Sequence, residues 1–215
     1  MKKTKVILVG ESKVGKTSII NQYVESSFSE EYLITLTGDK LIKEVEINGS
    51  KISLEIWDTA GNEKFRAVNK IFMKNTKIAI LVYDITDKKS FEELSYWYNQ
   101  IITTNDKNNI IIGLAGNKND KYEEQQVPTE EGQKYADKIN AIFSETSAMD
   151  HESIEILFNK VLKVFVEKEK EKEIKYKDNE EESKDQQKNS DTFNLDIKNS
   201  KKRKDDDCVF KKLPC

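Results

Sequence analysis

The sequence predicts an α/β fold in three layers (α/β/α), in which helices cover both faces of a mostly parallel six-stranded sheet with one antiparallel strand. Strand and helix patterns alternate along residues 1–173, which is typical of parallel strands joined by helical crossovers. Asn48-Gly49 separates the second and third predicted strands and favours a tight hairpin, so one of these strands is expected to be antiparallel. The length of 215 residues suits one such domain with an appendage.

The predicted strands are short apolar runs. The first contains Val6-Ile7-Leu8-Val9, which has no alternation of polar and apolar residues, so we expect both of its faces to be buried. We expect strands at Lys5–Val9, Leu41–Ile47, Lys51–Trp57, Ile78–Tyr83, Ile110–Ala115 and Ala141–Ser144.

The predicted helices carry apolar residues at spacings of three and four. One of them has a clear start, because Pro128 precedes Thr129-Glu130-Glu131 and acidic residues favour the first turn of a helix. We expect helices at Lys16–Val24, within Phe65–Lys74, and at Ser90–Thr103, Thr129–Ile139 and Glu152–Lys172.

A glycine-lysine loop separates the first strand from the first helix. Residues 10–17 fit the pattern G-x-x-x-x-G-K-[ST], which in a strand-loop-helix context predicts a phosphate-binding P-loop and hence a fold of the P-loop NTPase type. Backbone N–H groups and the helix N-terminus would bind the phosphates, Lys16 would reach the β- and γ-phosphates, and Thr17 would ligate Mg²⁺. The expected nucleotide-binding residues of this loop are Gly10, Ser12, Lys13, Val14, Gly15, Lys16, Thr17 and Ser18, with Lys13 facing solvent.

Two further segments are expected near the phosphates. Trp57-Asp58-Thr59-Ala60-Gly61 follows the third strand, so the Asp58 carboxylate can hold Mg²⁺ and the Gly61 N–H can meet a γ-phosphate. Thr35 lies in the irregular stretch Ser26–Lys40 and can close over the magnesium.

Two motifs are expected at the nucleotide base. Asn117-Lys118-Asn119-Asp120 follows the fifth strand, and the Asp120 carboxylate can accept hydrogen bonds from guanine N1–H and its 2-amino group. Adenine offers neither donor, so such a site would reject ATP. Glu145-Thr146-Ser147-Ala148 follows the sixth strand, where Ser147 and Ala148 are expected to bind the base and the Ala148 N–H can bond guanine O6.

These motifs, in this order, resemble the Ras superfamily of small GTPases over about residues 4–170. Trp57 to Arg66, and Leu81 to Thr86 followed by Ser90-Phe91, resemble the Rab branch, and Trp97 stands where Rabs carry a tryptophan that we interpret as core packing. The resemblance implies binding of GTP or GDP with Mg²⁺, with Thr17, Thr35 and Asp58 as metal ligands. It also implies that Phe28 leans on the guanine base, that Lys118 covers the face of the base, and that Lys16, Gly61 and the residue after Gly61 serve catalysis.

The chain departs from the Rab pattern in two switch segments. Rabs usually carry glutamine after Asp-Thr-Ala-Gly, where it orients the attacking water, but this chain has Asn62. A side chain shorter by about 1.5 Å predicts slow intrinsic hydrolysis, since a misplacement of about 1 Å can cost on the order of a hundredfold in rate. The residues after Thr35 also differ, with Lys40 in place of an aromatic residue, and spacing alone favours Thr35 over Thr37 as the metal ligand.

The C-terminal residues 174–215 are dominated by Lys, Asp, Glu, Asn and Ser, which predicts a charged, disordered, hypervariable tail. The two cysteines, Cys208 and Cys215, both lie there, so we expect no disulfide in the core and hypothesise prenylation at Cys215, with Cys208 as a second candidate. Lys201–Lys204 would add attraction to anionic lipid, which Asp205-Asp206-Asp207 would weaken. An unmodified tail is the alternative.

We therefore expect a monomeric Rab-like GTPase that switches between GTP and GDP in vesicle and membrane trafficking. Its expected partners are an exchange factor, a GTPase-activating protein, an escort or dissociation inhibitor, effectors and a membrane reached through the prenylated tail. The net charge of −3 argues against nucleic acid. The expected location is the cytoplasmic face of endomembranes, with a cytosolic pool.

Three alternatives stay open at this point. A nucleotide-gated membrane scaffold with negligible hydrolysis is consistent with Asn62, and a Ras-type signalling GTPase would share the same motifs. A P-loop kinase of small metabolites is disfavoured by the guanine-type motif at 117–120 and by the lack of an arginine-rich lid.

Overall fold

The computed structural model describes residues 2–29, 40–59 and 66–175, with no side-chain detail for Lys2 and 66–69. The chain divides into two units, Met1–Glu167 and Lys168–Cys215, and the architecture below is that of the first. Its six strands form one sheet in the order β2-β3-β1-β4-β5-β6. Among the strand pairs that the structure describes, only β2–β3 is antiparallel, which confirms the hairpin predicted from Asn48-Gly49.

Strands and helices follow one another along the chain as the sequence predicted. The strands are β1 Lys2–Val9, β2 Lys40–Ile47, β3 Ser50–Trp57, β4 Ile78–Asp84, β5 Ile111–Asn117 and β6 Ile142–Glu145. The helices are α1 Lys16–Glu25, α2 Arg66–Met73, α3 Lys88–Glu92, α4 Leu94–Thr104, α5 Thr129–Ile139 and α6 at 151–175, with short 3₁₀ turns at Lys107–Asn109 and Asn119–Glu124.

Two apolar layers flank the sheet. One packs α1 and the first part of α6 against it, and there the rings of Tyr23 and Phe158 stack with centroids 3.7 Å apart. The other packs α3, α4 and α5 against the opposite face, with Trp97 fully buried. Residues Val6 to Val9 are completely buried because β1 lies in the middle of the sheet with apolar side chains on both faces. The three-layer arrangement is confirmed.

One predicted helix is divided in the structure. The sequence predicted a single helix at Ser90–Thr103, but α3 ends at Glu92 and α4 begins at Leu94. α3 also begins earlier than predicted, because the Asp87 carboxylate caps it by accepting the Lys89 N–H at 3.1 Å. The apolar spacing did not indicate the division, since Phe91, Leu94 and Trp97 continue to face the same apolar layer across it.

The predicted tail begins at residue 174, whereas α6 continues to 175, and the rest of the tail lies outside the described residues. Among the helices that the structure describes, none combines the length and the apolar character needed to cross a membrane.

Candidate functional site

The loop between β1 and α1 has a backbone that only glycine fits well at two positions. Gly10 has φ of +152°, and a Cβ there would lie 2.1 Å from the Val82 carbonyl oxygen. Gly15 is the N-cap of α1 with φ of +96°, and a Cβ there would lie 2.3 Å from Asn117 Nδ2. The loop therefore packs closely against the ends of β4 and β5. Because the N-cap is glycine, it places no side chain over the first amide groups of α1.

Lys16 is the first residue of α1, and its side chain reaches back to this loop. Its ammonium group is buried and donates hydrogen bonds to the carbonyl oxygens of Gly10, at 2.9 Å, and Glu11, at 2.8 Å. Burial lowers the pKa of Lys16 to about 8, and the nearby carboxylates of Asp58 and Glu11 act in the opposite direction. A buried cation beside the N-terminus of a helix is suited to an anionic ligand.

Two oxygen groups meet in front of the loop. Thr17 Oγ1 donates a hydrogen bond to Asp58 Oδ2 at 2.6 Å, although the two residues are 41 positions apart in the sequence. A hydroxyl and a carboxylate are hard oxygen donors of the kind that Mg²⁺ prefers when it also binds phosphates. These residues therefore fit a magnesium ion bound together with a nucleotide.

Asn117 joins the predicted phosphate-binding loop to the segments predicted to bind the base. Its Nδ2 donates to the Val14 carbonyl oxygen at 2.8 Å, and its Oδ1 accepts a hydrogen bond from Thr146 Oγ1 at 3.2 Å. Asn117 and Thr146 are both buried. This residue fixes the P-loop to β5 and to the loop after β6.

The two motifs predicted to bind the base contact each other in the structure. Ser147 Oγ donates a hydrogen bond to Asp120 Oδ1 at 2.5 Å and accepts one from the Met149 N–H at 3.1 Å. Ala148 is buried beside them. The Asn119 N–H also bonds the Thr146 carbonyl oxygen at 3.1 Å, which links the two loops through their backbones. The Asp120 carboxylate is therefore held by a neighbouring hydroxyl at the carboxyl ends of β5 and β6.

Known proteins are similar to this chain in sequence. The family model for the Ras family matches residues 5–167. Ras-related protein SEC4 from Candida albicans is 36% identical over 164 residues, covering 76% of this chain and 78% of that protein. Ras-related protein Rab-21 from Homo sapiens is 39% identical over 163 residues, covering 76% of this chain and 72% of that protein. The chain belongs to the Ras family.

Within the Ras family the chain is a member of the Rab branch. It is a small GTPase that binds GTP or GDP with Mg²⁺, hydrolyses GTP and acts as a nucleotide-dependent switch in vesicle trafficking. The predictions of fold class, nucleotide, metal ion and reaction are confirmed.

The site residues predicted for this GTPase are only partly within the described residues. Lys13 is exposed, as expected, with φ of +67°, and Phe28 is 40% exposed just beyond α1. Ser12 and Ser18 lie half-buried in the loop and in the first turn of α1. The predicted Thr35, Gly61, Asn62, Cys208 and Cys215 lie outside the described residues.

Three residues that contact predicted residues in the structure were not predicted as site residues from the sequence. Asp84, at the end of β4, forms an ion pair with Lys118, and Thr146 bonds Asn117. Glu11 accepts a hydrogen bond from Trp97, which had been interpreted only as core packing. A partner for Asp84 could have been predicted from the sequence, because burying a carboxylate at the end of an apolar strand costs free energy unless a polar or charged group lies next to it.

Proposed function

We propose that residues from five loop segments act together in the GTP cycle of this chain. The 2.6 Å contact between Thr17 Oγ1 and Asp58 Oδ2, beside the buried Lys16 ammonium, carries this proposal. Lys16 and the loop N–H groups would stabilise the negative charge that develops on the transferred phosphoryl group. Thr17, Asp58 and Thr35 would hold Mg²⁺, which supplies positive charge beside the phosphates when it is bound.

The base would be selected by Asp120. Its carboxylate offers acceptors to guanine N1–H and the 2-amino group, and the Ser147 hydroxyl holds it in place. Asp120→Asn changes one acceptor into a donor, which suits the 2-carbonyl of xanthine better than the 2-amino group of guanine. We expect the affinity for GTP to fall by at least a hundredfold. Xanthosine triphosphate (XTP) should then displace a bound fluorescent nucleotide better than GTP does.

The matched control is Asp150→Asn, because Asp150 is an exposed aspartate in the loop after β6 that accepts the Glu152 N–H through Oδ1, an atom that asparagine keeps. It should leave the preference for GTP over XTP intact. Retention of that preference by Asp120→Asn would exclude Asp120 as the base-reading residue. Displacement of fluorescent GDP by ATP from the unchanged protein would instead support a kinase-like site.

Hydrolysis would be slow because Asn62 replaces the usual glutamine. Its amide would stop about 1.5 Å short of the attacking water, and such a gap costs on the order of a hundredfold. Asn62→Gln should therefore accelerate phosphate release in a single-turnover assay with preloaded GTP. An unchanged rate would contradict the proposed role of Asn62.

A second candidate function follows from Asn62. If hydrolysis stays negligible even with a GTPase-activating protein present, the chain would act as a nucleotide-gated scaffold on a membrane. Activating proteins can supply both an arginine and a glutamine in trans, so the rate with such a protein decides between the two functions.

Membrane attachment would depend on the tail. Cys215, and Cys208 as a second position, would carry an isoprenoid, and the basic run Lys201–Lys204 would favour anionic lipid. The protein would then cycle as a monomer between the cytoplasmic face of endomembranes and an escort-bound cytosolic pool, with an exchange factor and effectors acting on the membrane. Intact mass of the native protein tests the modification, and a tagged copy with both cysteines changed to serine tests the location. A native mass without isoprenoid would exclude it.

A further inference from the structure

A buried tryptophan from the second apolar layer contacts the phosphate-binding loop. Trp97 lies on α4 with no exposed surface, and its Nε1–H donates a hydrogen bond to Glu11 Oε1 at 3.1 Å. The two residues are 86 positions apart, and Glu11 directly follows Gly10 in the loop. The bond therefore connects a rigid helix to the segment that would surround the nucleotide phosphates.

Glu11 is also connected to Lys16. The Glu11 backbone carbonyl accepts one of the hydrogen bonds of the Lys16 ammonium, and the Gly10 carbonyl accepts another. A change in the position of Glu11 would therefore move an acceptor of Lys16 as well as the backbone that follows it. The side chain and the main chain of this one residue hold different parts of the loop.

The charge of Glu11 makes its placement important. A carboxylate in a phosphate-binding loop repels a triphosphate, and in a partly buried site water and salt screen this repulsion less than at the surface. A hydrogen bond from the indole N–H stabilises the carboxylate on the side of α4. Hydrogen bonds to a charged acceptor are stronger than those between neutral groups.

We propose that Trp97 is a positioning residue of the phosphate-binding loop, which holds the Glu11 carboxylate through its indole N–H and so slows nucleotide release. This inference rests on the proposed role of residues 10–17 in binding the phosphates. Packing alone does not require the N–H, because phenylalanine would also fill most of the buried volume. The test must therefore separate the hydrogen bond from the ring.

The experiment measures release of fluorescent GDP with Mg²⁺ present. Trp97→Phe keeps an aromatic ring and removes the donor, and we expect it to speed release about tenfold, in line with loss of one charge-assisted bond. Glu11→Gln keeps an acceptor oxygen without the charge, whereas Glu11→Ala removes both. We expect Glu11→Ala to release GDP faster than Glu11→Gln. Because these two variants carry the same charge, the difference between their rates reports the hydrogen bond.

The double variants provide the decisive comparison. When each is combined with Trp97→Phe, the difference in GDP release rate between Glu11→Gln and Glu11→Ala should become smaller, since the indole donor is gone from both proteins. If Trp97→Phe accelerates GDP release equally in the unchanged protein and in the Glu11→Ala variant, the effect comes from packing and the proposal is overturned. The proposal is also overturned if Trp97→Phe accelerates release in neither protein. Failure of the unchanged protein to bind GDP would instead refute the proposed nucleotide site.

A spectroscopic measurement covers the case in which Trp97→Phe does not fold. The chain has two tryptophans, Trp57 and Trp97, so its ¹H–¹⁵N spectrum contains two indole N–H signals. Glu11→Ala should shift the Trp97 signal and increase its exchange with solvent, while the Trp57 signal serves as the internal reference. An unmoved Trp97 signal would overturn the proposal without any variant at position 97.

Discussion

The Lys118 ammonium lies 2.5 Å from Asp84 Oδ2, and both side chains are largely shielded from solvent. The other carboxylate oxygen of Asp84 accepts hydrogen bonds from the N–H and the hydroxyl of Thr86, at 2.9 and 2.8 Å. Asp84 pairs in register with Asn117 on the neighbouring strand, so the parallel pairing of β4 and β5 places the ion pair at the base end of the site. Lys118 is therefore held on one side of that site by a charge on another strand.

Asp84→Asn should loosen this arrangement without disturbing Thr86. Asparagine keeps the Oδ1 acceptor but loses the charge that holds Lys118, so we expect GDP to leave about tenfold faster, as befits one lost charge-assisted bond. Stopped-flow release of fluorescent GDP measures the effect. Asp87→Asn is the matched control, because the exposed Asp87 also accepts a backbone N–H through Oδ1 and can keep it. Equal rates for the two variants would contradict the role of Asp84.

Gly15→Ala should destabilise the protein more than the same change at Gly49. Both glycines have positive φ, +96° and +75°, so alanine introduces backbone strain of about 1–3 kcal/mol at either position. At Gly15 the new Cβ would also lie 2.3 Å from Asn117 Nδ2, whereas at Gly49 no described atom beyond its two chain neighbours would lie within 4 Å of it. The unfolding free energy in urea should fall further for Gly15→Ala. A similar loss at both sites would mean that Asn117 moves aside at little cost.

Lys16 predicts a pH dependence of the nucleotide-free protein. Burial lowers its pKa in the folded state to about 8 from 10.5, so the folded state binds fewer protons than the unfolded state between these values. The contribution of Lys16 to the free energy of unfolding must therefore rise with pH between 8 and 10.5. Below pH 8 the folded state keeps the Lys16 ammonium charged and buried, at a cost of up to about 3 kcal/mol. The difference in unfolding free energy between the unchanged protein and Lys16→Met isolates this group.

That difference should move in favour of the unchanged protein as the pH rises from 8 to 10.5, and it should be flat between pH 6 and 7.5. The lost hydrogen bonds of Lys16 to Gly10 and Glu11 change the difference at every pH alike, so only its slope reports the titration. A difference that stays constant across the whole range would mean that Lys16 keeps its ordinary pKa in the fold.

Much of the fold could be predicted because local sequence carries it. An unbroken apolar run is stable as a strand only where both faces of the strand are covered. The run Val6 to Val9 therefore predicted a strand buried on both faces, and these residues are buried in the structure. The glycine-lysine loop, the hairpin at Asn48-Gly49 and the carboxylate at Asp120 were recognised for similar reasons, because each depends on a few adjacent residues. The division at Glu93 was missed, since the apolar spacing continues unchanged through it.

The amino-acid order by itself determined which elements form, which faces are apolar and which loops carry phosphate and base chemistry. Only the tertiary structure decided that Trp97 bonds Glu11 and that Asp84 pairs with Lys118. The physical reason is that periodicity specifies the face on which a side chain lies but not its neighbour on that face. Strand register and helix packing choose the neighbour, and they bring together residues as distant as Val14 and Asn117, 103 positions apart.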